Sequence, residues 1–348
     1  MDTSVMITLG FLVFAIVMFA WEKIPLSITA MIVAVGLHLS GVLSAKEAFA
    51  GFVDPNVLLF MGMFVIGEAF FATGVAVGVG NVVHKFAKTE TSLLVAVMMI
   101  TGILSGFLSN TGTAAVLIPV IIGICKKSGF KQTKLLMPLV FAAAMGGNIS
   151  LIGAPGNMIA QAGLQQAGLG SFGFFDYGLV GLPILIVGTI FYATIGKRFL
   201  PDAPSHQPDG AFEGNEDYSH VPSWKKWTAA IVLILTVVAM IFEKQLGVKL
   251  YVSAWIGALV LVATNVISES AAVRSIDMKT IMLFAGSMAL GDAMVKTGTG
   301  SVIADLIVNS LGASPSPIVV LVVIFVLGVF MTNFMSNTAT CALLVPIG

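Results

Sequence analysis

The sequence predicts an all-α polytopic membrane protein of two inverted-topology repeats, each with five transmembrane helices and one re-entrant hairpin, the second repeat incomplete. Three observations predict this. The chain is 57% hydrophobic and only 10% charged, where a soluble domain carries about 25% charged residues. Apolar runs such as Val5–Ala20, Ile24–Leu43, Tyr177–Ile195, Trp227–Phe242 and Ile318–Phe330 reach or approach the ~20 residues a helix needs to cross a bilayer. The third is internal repetition. Phe60-Met61-Gly62, Gly67-Glu68 and Thr73-Gly74 match Phe284-Ala285-Gly286, Gly291-Asp292 and Thr297-Gly298 at an offset of 224 residues, as Thr29-Ala30 matches Ser253-Ala254. Ser109-Asn110-Thr111, Thr113 and Pro119 match Ser336-Asn337-Thr338, Thr340 and Pro346 at an offset of 227. One small insertion explains the change of offset, and a collinear series of this kind marks a transporter-type repeat.

The elements follow in order. The first repeat, residues 1–200, reads as crossings at about 4–20, 25–44, 56–73, 135–165 and 174–198. The first run lacks a basic flank and a small-residue cleavage site, so it is expected to be a retained helix. Between the third and fourth crossings, residues 92–125 form two apolar arms joined by a polar tip. Each arm, at ~16 residues, is only ~24 Å long, short of the ~30 Å hydrocarbon core. The segment is therefore read as a hairpin that enters and leaves by one face. Residues 201–223 are polar and join the repeats, and 224–348 form the second repeat. That repeat stops just past its own Ser-Asn-Thr, so by repeat arithmetic a partner for residues 122–200, about 80 residues, is expected to follow.

Charge orients the scheme. With the hairpin non-crossing, Lys23, Lys85, Lys88, Lys126, Lys127, Lys131, Lys134, Lys197, Arg198, Lys225, Lys226, Arg274 and Lys279 share one face, against Lys46, Lys244 and Lys249 on the other. The positive-inside rule makes the first face cytoplasmic, places the N-terminus outside and makes 201–223 a cytoplasmic linker. The expected location is the cell (inner) membrane.

Polar residues at a break in an apolar segment cannot face lipid, so the Ser-Asn-Thr tips are candidate sites. At each tip one arm ends with free carbonyls, which suit a small cation, and the next begins with free N–H groups, which suit a carboxylate. Asn offers an oxygen and an amide and serves either guest. Ser105 and Thr332, four residues before Ser109 and Ser336, return to the same helical face. Caps and hydroxyls bonding back to the i−4 carbonyl are the competing explanation. A second break, Gly153-Ala154-Pro155-Gly156-Asn157, exposes further carbonyls inside the crossing at 135–165.

Paired Ser-Asn-Thr tips in inverted repeats with a Gly-x-Pro break downstream resemble the divalent-anion/sodium symporter family of dicarboxylate, citrate and sulfate carriers. The resemblance covers nearly the whole chain. It implies a first sodium site from Ser105, Ser109, Asn110 and Gly153, a second from Thr332 and Asn337, and substrate contacts from Asn110, Thr111, Asn337 and Thr338. It also implies a homodimer and elevator-type movement of a di- or tricarboxylate anion, with sodium as coupling ion and no other cofactor. The family's break commonly reads Gly-Thr/Ser-Pro-Pro-Asn; here Ala154 lacks the hydroxyl. An inorganic oxyanion such as sulfate or arsenite, proton coupling, exchange and an ion channel are the alternatives.

Glu68 and Asp292 are repeat-equivalent intramembrane acids, with Lys296 able to pair with Asp292 at i,i+4. A structural role is expected for them over a proton relay. His38, His84, His206 and His220 show no metal-ligand spacing, and no Ser/His/Asp set, HExxH or phosphate loop is present, which leaves catalysis without apparatus. Cys125 and Cys341 read as small buried hydrophobes. Nothing in the charge balance points to nucleic acid.

Overall fold

The computed structural model describes residues 2–78, 89–201, 218–303, 316–333 and 335–346. All regular structure among them is helical. In the first half the helices are α1 Thr3–Trp21, α2 Leu26–Leu39, α3 Ala45–Ala48, α4 Pro55–Ala72, α5 Glu90–Ser105, α6 Asn110–Ser128, α7 Thr133–Gly146, α8 Pro155–Gln166 and α9 Gly178–Thr194. The second half contributes α10 Ser223–Ile241, α11 Glu243–Leu246, α12 Leu250–Ala263, α13 Glu269–Ser275, α14 Met278–Thr297, α15 Pro317–Met331 and α16 Asn337–Leu344. By length and composition α1, α4, α10 and α14 can each cross a membrane; the other apolar helices, α6 being counted over 110–125, have 10–17 residues.

Local chemistry sets the element ends. Thr89 and Ser92 exchange side-chain and backbone hydrogen bonds at 3.1 Å in a capping box that starts α5, satisfying donors the first turn leaves open. Asp54 Oδ1 accepts from Asn56 N at the start of α4, and Asp277 Oδ1 from Lys279 N at the start of α14. Gly74 and Gly298, at φ 75° and 73°, follow α4 and α14, where a left-handed residue closes a helix and glycine does so without Cβ strain. The expected crossing at 25–44 is shorter as helix. α2 stops at Leu39, where Ser40 Oγ donates to Leu37 O and Gly41 turns at φ 78°.

Residues 92–125, expected as a hairpin, hold α5 and α6, separated by a four-residue break at 106–109, and the helix expected at 135–165 is interrupted at 147–154, between α7 and α8. The linker expected at 201–223 lies mostly outside the described residues.

The chain forms two compact units. In the first, residues 1–58, 158–171 and 277–348, α14 packs along α2 with α1 beside them. Leu12, Phe19, Leu37, Leu290, Met294 and Leu343 lie in its core. A Cβ on Gly286 would stand 2.5 Å from the Ala30 carbonyl carbon, so α14 and α2 meet backbone to backbone. In the second, residues 59–157 and 172–276, α5 packs on α7 and α9, and α6 on α7. Leu93, Met98, Leu117, Leu135, Leu139 and Leu185 fill its core. There α4 meets α12, and a Cβ on Gly62 would stand 2.8 Å from Ala254 Cβ.

Candidate functional site

In the second unit the two helix breaks are braced against each other. At the first, Ser109 caps α6 by accepting from Gly112 N at 3.1 Å, so its hydroxyl is committed to the helix end. Ser105, at the last residue of α5, is fully buried. It does not bond back to its own helix: its Oγ donates to Ala143 O of α7 at 2.8 Å.

Asn110, the first residue of α6, turns its amide onto this hydroxyl. The inward amide atom lies 2.7 Å from Ser105 Oγ, 3.1 Å from Gly153 O and 3.2 Å from Ala143 O. One hydroxyl proton cannot serve both Ala143 O and an amide oxygen. With the amide nitrogen inward, its two N–H groups serve Ser105 Oγ and Gly153 O, with Ala143 O at 3.2 Å, and Ser105 keeps its bond to Ala143. Three oxygens therefore converge on one point, two of them backbone carbonyls from α7 and from the break after it. The Asn110 amide atom fills that point.

The second break holds those carbonyls still. Asn157 Nδ2 donates to Gly147 O and Ser150 O, both at 2.9 Å, and Tyr177 Oη donates to Asn157 O at 2.8 Å. Ser150 Oγ donates to Gly106 O in the first break. Leu151 N donates to Phe174 O at 2.8 Å. Gly147 is in close contact with Asn110: a Cβ there would meet Oδ1 at 2.5 Å and Nδ2 at 2.7 Å.

Of the predicted site residues, Ser105, Asn110 and Gly153 come together. Ser109 acts as a cap, and Thr111 is exposed in the first turn of α6, where N–H groups lack intrahelical partners. Sequence reasoning missed Ala143, whose contribution is a carbonyl that any residue would carry. It also missed the bracing by Ser150 and Asn157, although Asn157 closes the Gly-Ala-Pro-Gly-Asn break.

The first unit repeats the tip. Ser336 caps α16 by accepting from Ala339 N at 3.2 Å, and Thr332 Oγ1 donates to Asn337 Oδ1. Ser105 and Asn110 are the paired residues 227 positions earlier, where the amide nitrogen donates to the hydroxyl instead. Asn337 is exposed and Thr338 half-buried.

The expected pairing of Asp292 with Lys296 does not form. Lys296 Nζ donates to both carboxylate oxygens of Glu47, at 2.9 and 2.8 Å. Its long side chain reaches the end of α14, where Glu47 closes the α3 capping box with Ser44. The Lys296 bond, followed by the Ser44 backbone N–H, holds the Glu47 carboxyl down at about 2. Asp292 instead accepts from Gln166 Nε2 at 3.1 Å, while Gln165 Oε1 accepts from Asn56 Nδ2 at 3.1 Å. Both carboxylates thus serve packing within the first unit, and among the described residues no group of His, Cys, Asp and Glu is placed to hold a metal.

Apolar helices interrupted by polar, capped breaks define a membrane carrier architecture. The fold is similar to that of the YdaH transporter of Alcanivorax borkumensis, with a TM-score of 0.64 over 98% of this chain and 81% of that one at 16% identity. The uncharacterized transporter YfbS of Escherichia coli is 33% identical over 211 residues, 60% of this chain and 35% of that protein. An uncharacterized transporter of Haemophilus influenzae is 27% identical over 359 residues, 97% of this chain and 75% of that protein. The sodium-dependent dicarboxylate transporter SdcS of Staphylococcus saprophyticus is 24% identical over 363 residues, 94% of this chain and 69% of that protein. The matched region thus spans about a third of the Escherichia coli relative's length and three quarters of the Haemophilus one's. The citrate transporter family, CitMHS, matches residues 16–348, and the chain belongs to that family of membrane transporters.

Proposed function

We propose that the protein is a secondary active transporter that moves small di- or tricarboxylate anions, coupled to sodium, by elevator-type alternating access. The convergence of Ser105 Oγ, Ala143 O and Gly153 O on the Asn110 amide carries this reading. Three neutral oxygens at a point braced by two helix breaks offer a small monovalent cation good ligands without a fixed charge. The first-turn N–H groups of α6, with Thr111 and Asn110, offer a carboxylate its donors. The second tip, with Thr332, Asn337 and Thr338, serves the same two guests. SdcS, named as a sodium-dependent dicarboxylate transporter, supports both halves of the assignment.

Neutral tips also make the two guests depend on each other. A sodium ion and a carboxylate ~6 Å apart at an effective dielectric of ~20 attract by about 3 kcal/mol, so each raises the affinity of the other by the same factor.

The inverted repeat belongs to this proposal, with α5–α6 and the arms α15–α16 as re-entrant hairpins. α2 and α12 begin and end 224 residues apart, and the caps Ser44 and Ser268 and the glycines Gly74 and Gly298 share that spacing. The N-terminus outside and a cytoplasmic linker follow from lysine placement. The contacts of Lys23 with the exposed Trp21 ring at 4.5 Å, and of Lys225 with Trp224 at 5.6 Å, support an interface at the end of α1 and the start of α10. A homodimer in the inner membrane completes the proposal.

The test is uptake by proteoliposomes of radiolabelled succinate, citrate and sulfate, each with an inward sodium or potassium gradient. Sodium-dependent uptake of a carboxylate is expected. Uptake of sulfate alone, or of a carboxylate equally well in potassium, overturns the assignment.

A further inference from the structure

We infer that the Asn110 amide nitrogen is a built-in stand-in for the coupling cation, and that sodium enters by turning it out of the site. The inference rests on the sodium reading above and concerns what that reading leaves open: how a cluster of oxygens is kept together when the ion is elsewhere in the transport cycle.

Three oxygens within hydrogen-bonding distance of one point repel one another unless something positive lies between them. The inward atom of the Asn110 amide is at that point, 2.7, 3.1 and 3.2 Å from Ser105 Oγ, Gly153 O and Ala143 O. As nitrogen it brings two N–H dipoles and satisfies the cluster. As oxygen it adds a fourth lone-pair donor, and then only a cation reconciles the set. The same side chain therefore fits two states of the pocket, and the choice between them is the orientation of a planar amide. The surroundings leave it little else to do. Gly147 closes one side at a distance that admits no Cβ, and the Gly147 and Ser150 carbonyls are already held by the Asn157 amide.

The reversal has a consequence for the anion. Asn110 is the first residue of α6, beside the open N–H groups of the first turn. With nitrogen inward, the amide turns its oxygen to the donor groups on its outer side and repels a carboxylate there. With sodium bound and oxygen inward, it presents two N–H donors there. One side chain thus ties the anion's donors to the presence of the cation, on top of the Coulomb attraction between the guests.

Solid-state NMR of the protein in lipid bilayers, labelled with side-chain ¹⁵N asparagine and carbonyl ¹³C glycine, reads the orientation directly. The probe is the dipolar contact between Asn110 Nδ2 and the Gly153 carbonyl carbon, assigned by its disappearance in Asn110→Asp. ²²Na⁺ binding is measured on the same preparation. A contact present in potassium and lost at saturating sodium is the expected result. Sodium binding with the contact unchanged, or with no contact in either salt, overturns the stand-in role while leaving the sodium site intact. Absence of ²²Na⁺ binding overturns both.

Discussion

Gly147→Ala tests the cation site with one methyl group. Gly147 adopts φ −56° and ψ −17° at the end of α7, a conformation alanine accepts, so the backbone is not strained. By itself such a change stabilises by about 0.4–1 kcal/mol through the unfolded chain. The cost falls on one neighbour. The new Cβ would lie 2.5 Å from Asn110 Oδ1, 2.7 Å from Nδ2 and 3.0 Å from Cγ, against the ~3.5 Å of an unstrained contact. The amide must retreat by roughly 1 Å, which breaks its register with Ser105 Oγ, Ala143 O and Gly153 O. Losing one oxygen from a bound ion, at about 1.5–3 kcal/mol for a hydrogen bond to a charged group, weakens sodium roughly 10- to 150-fold. The assay is the sodium concentration for half-maximal uptake in proteoliposomes, with unfolding temperature in detergent as the control. A variant that unfolds within a few degrees of the wild type yet keeps its sodium dependence within twofold would refute the placement of the ion at Asn110.

Two further outcomes are expected. Because Lys296 and Ser44 depress the Glu47 carboxyl to about 2 from an ordinary 4.5, the clasp contributes fully above pH 4.5 and is lost as pH falls through about 2. Lys296→Met should therefore lower the unfolding temperature by at most about 2 °C, since the pair is exposed, and equally from pH 8 to pH 5; a difference that fades between pH 8 and 6 would point to another partner for Lys296. Single cysteines at Lys131 and Lys226 should react with an impermeant maleimide only from the cytoplasmic side, and one at Lys244 only from outside. Reaction of the first two from opposite sides would overturn the proposed topology.

What was legible in the sequence was punctuation. The Ser-Asn-Thr tip was legible because a polar cap inside an apolar run is local, and Ser109 does begin α6; the caps Asp54, Thr89 and Asp277 were not read from the sequence. The second break was displaced: it was read at residues 153–157, whereas the helix is interrupted at 147–154 and Pro155 already opens α8. What escaped came from distance. The partner of Lys296 lies 249 residues away in Glu47, whereas helical spacing suggested the neighbour one turn off. Ser105 donates to Ala143 O, 38 residues on, and not to its own i−4 carbonyl. Two of the three oxygens of the proposed cation site are backbone carbonyls, which carry no residue signature. The shortness of α2 was hidden because the apolar run continues through Gly41 although the helix does not.

The repeat makes the sharpest demand on packing. Gly62 of α4 lies against Ala254 of α12, and Gly286 of α14 against Ala30 of α2. Each glycine has its equivalent 224 positions away, and so does each alanine, so the two contacts are one contact written twice with the halves exchanged. The proposed inverted repeat would require that exchange, whereas two unrelated helix pairs have no reason to show it. Small residues let backbones close up where no hydrophobic force between helices exists, and the cost of a methyl group follows from the distances. On Gly286 it would meet the Ala30 carbonyl carbon and oxygen at 2.5 Å, which only backbone movement relieves; on Gly62 it would meet Ala254 Cβ at 2.8 Å and its carbonyl carbon at 2.9 Å. Overpacking of this kind costs about 1–3 kcal/mol. Both Gly286→Ala and Gly62→Ala should lower the unfolding temperature, Gly286→Ala by more. Ala30→Gly should recover only part of the Gly286→Ala loss, since it removes the methyl but not the carbonyl. Full recovery, or a Gly286→Ala protein as stable as the wild type, would mean that α14 and α2 are not in backbone contact and that the exchanged pair carries no weight.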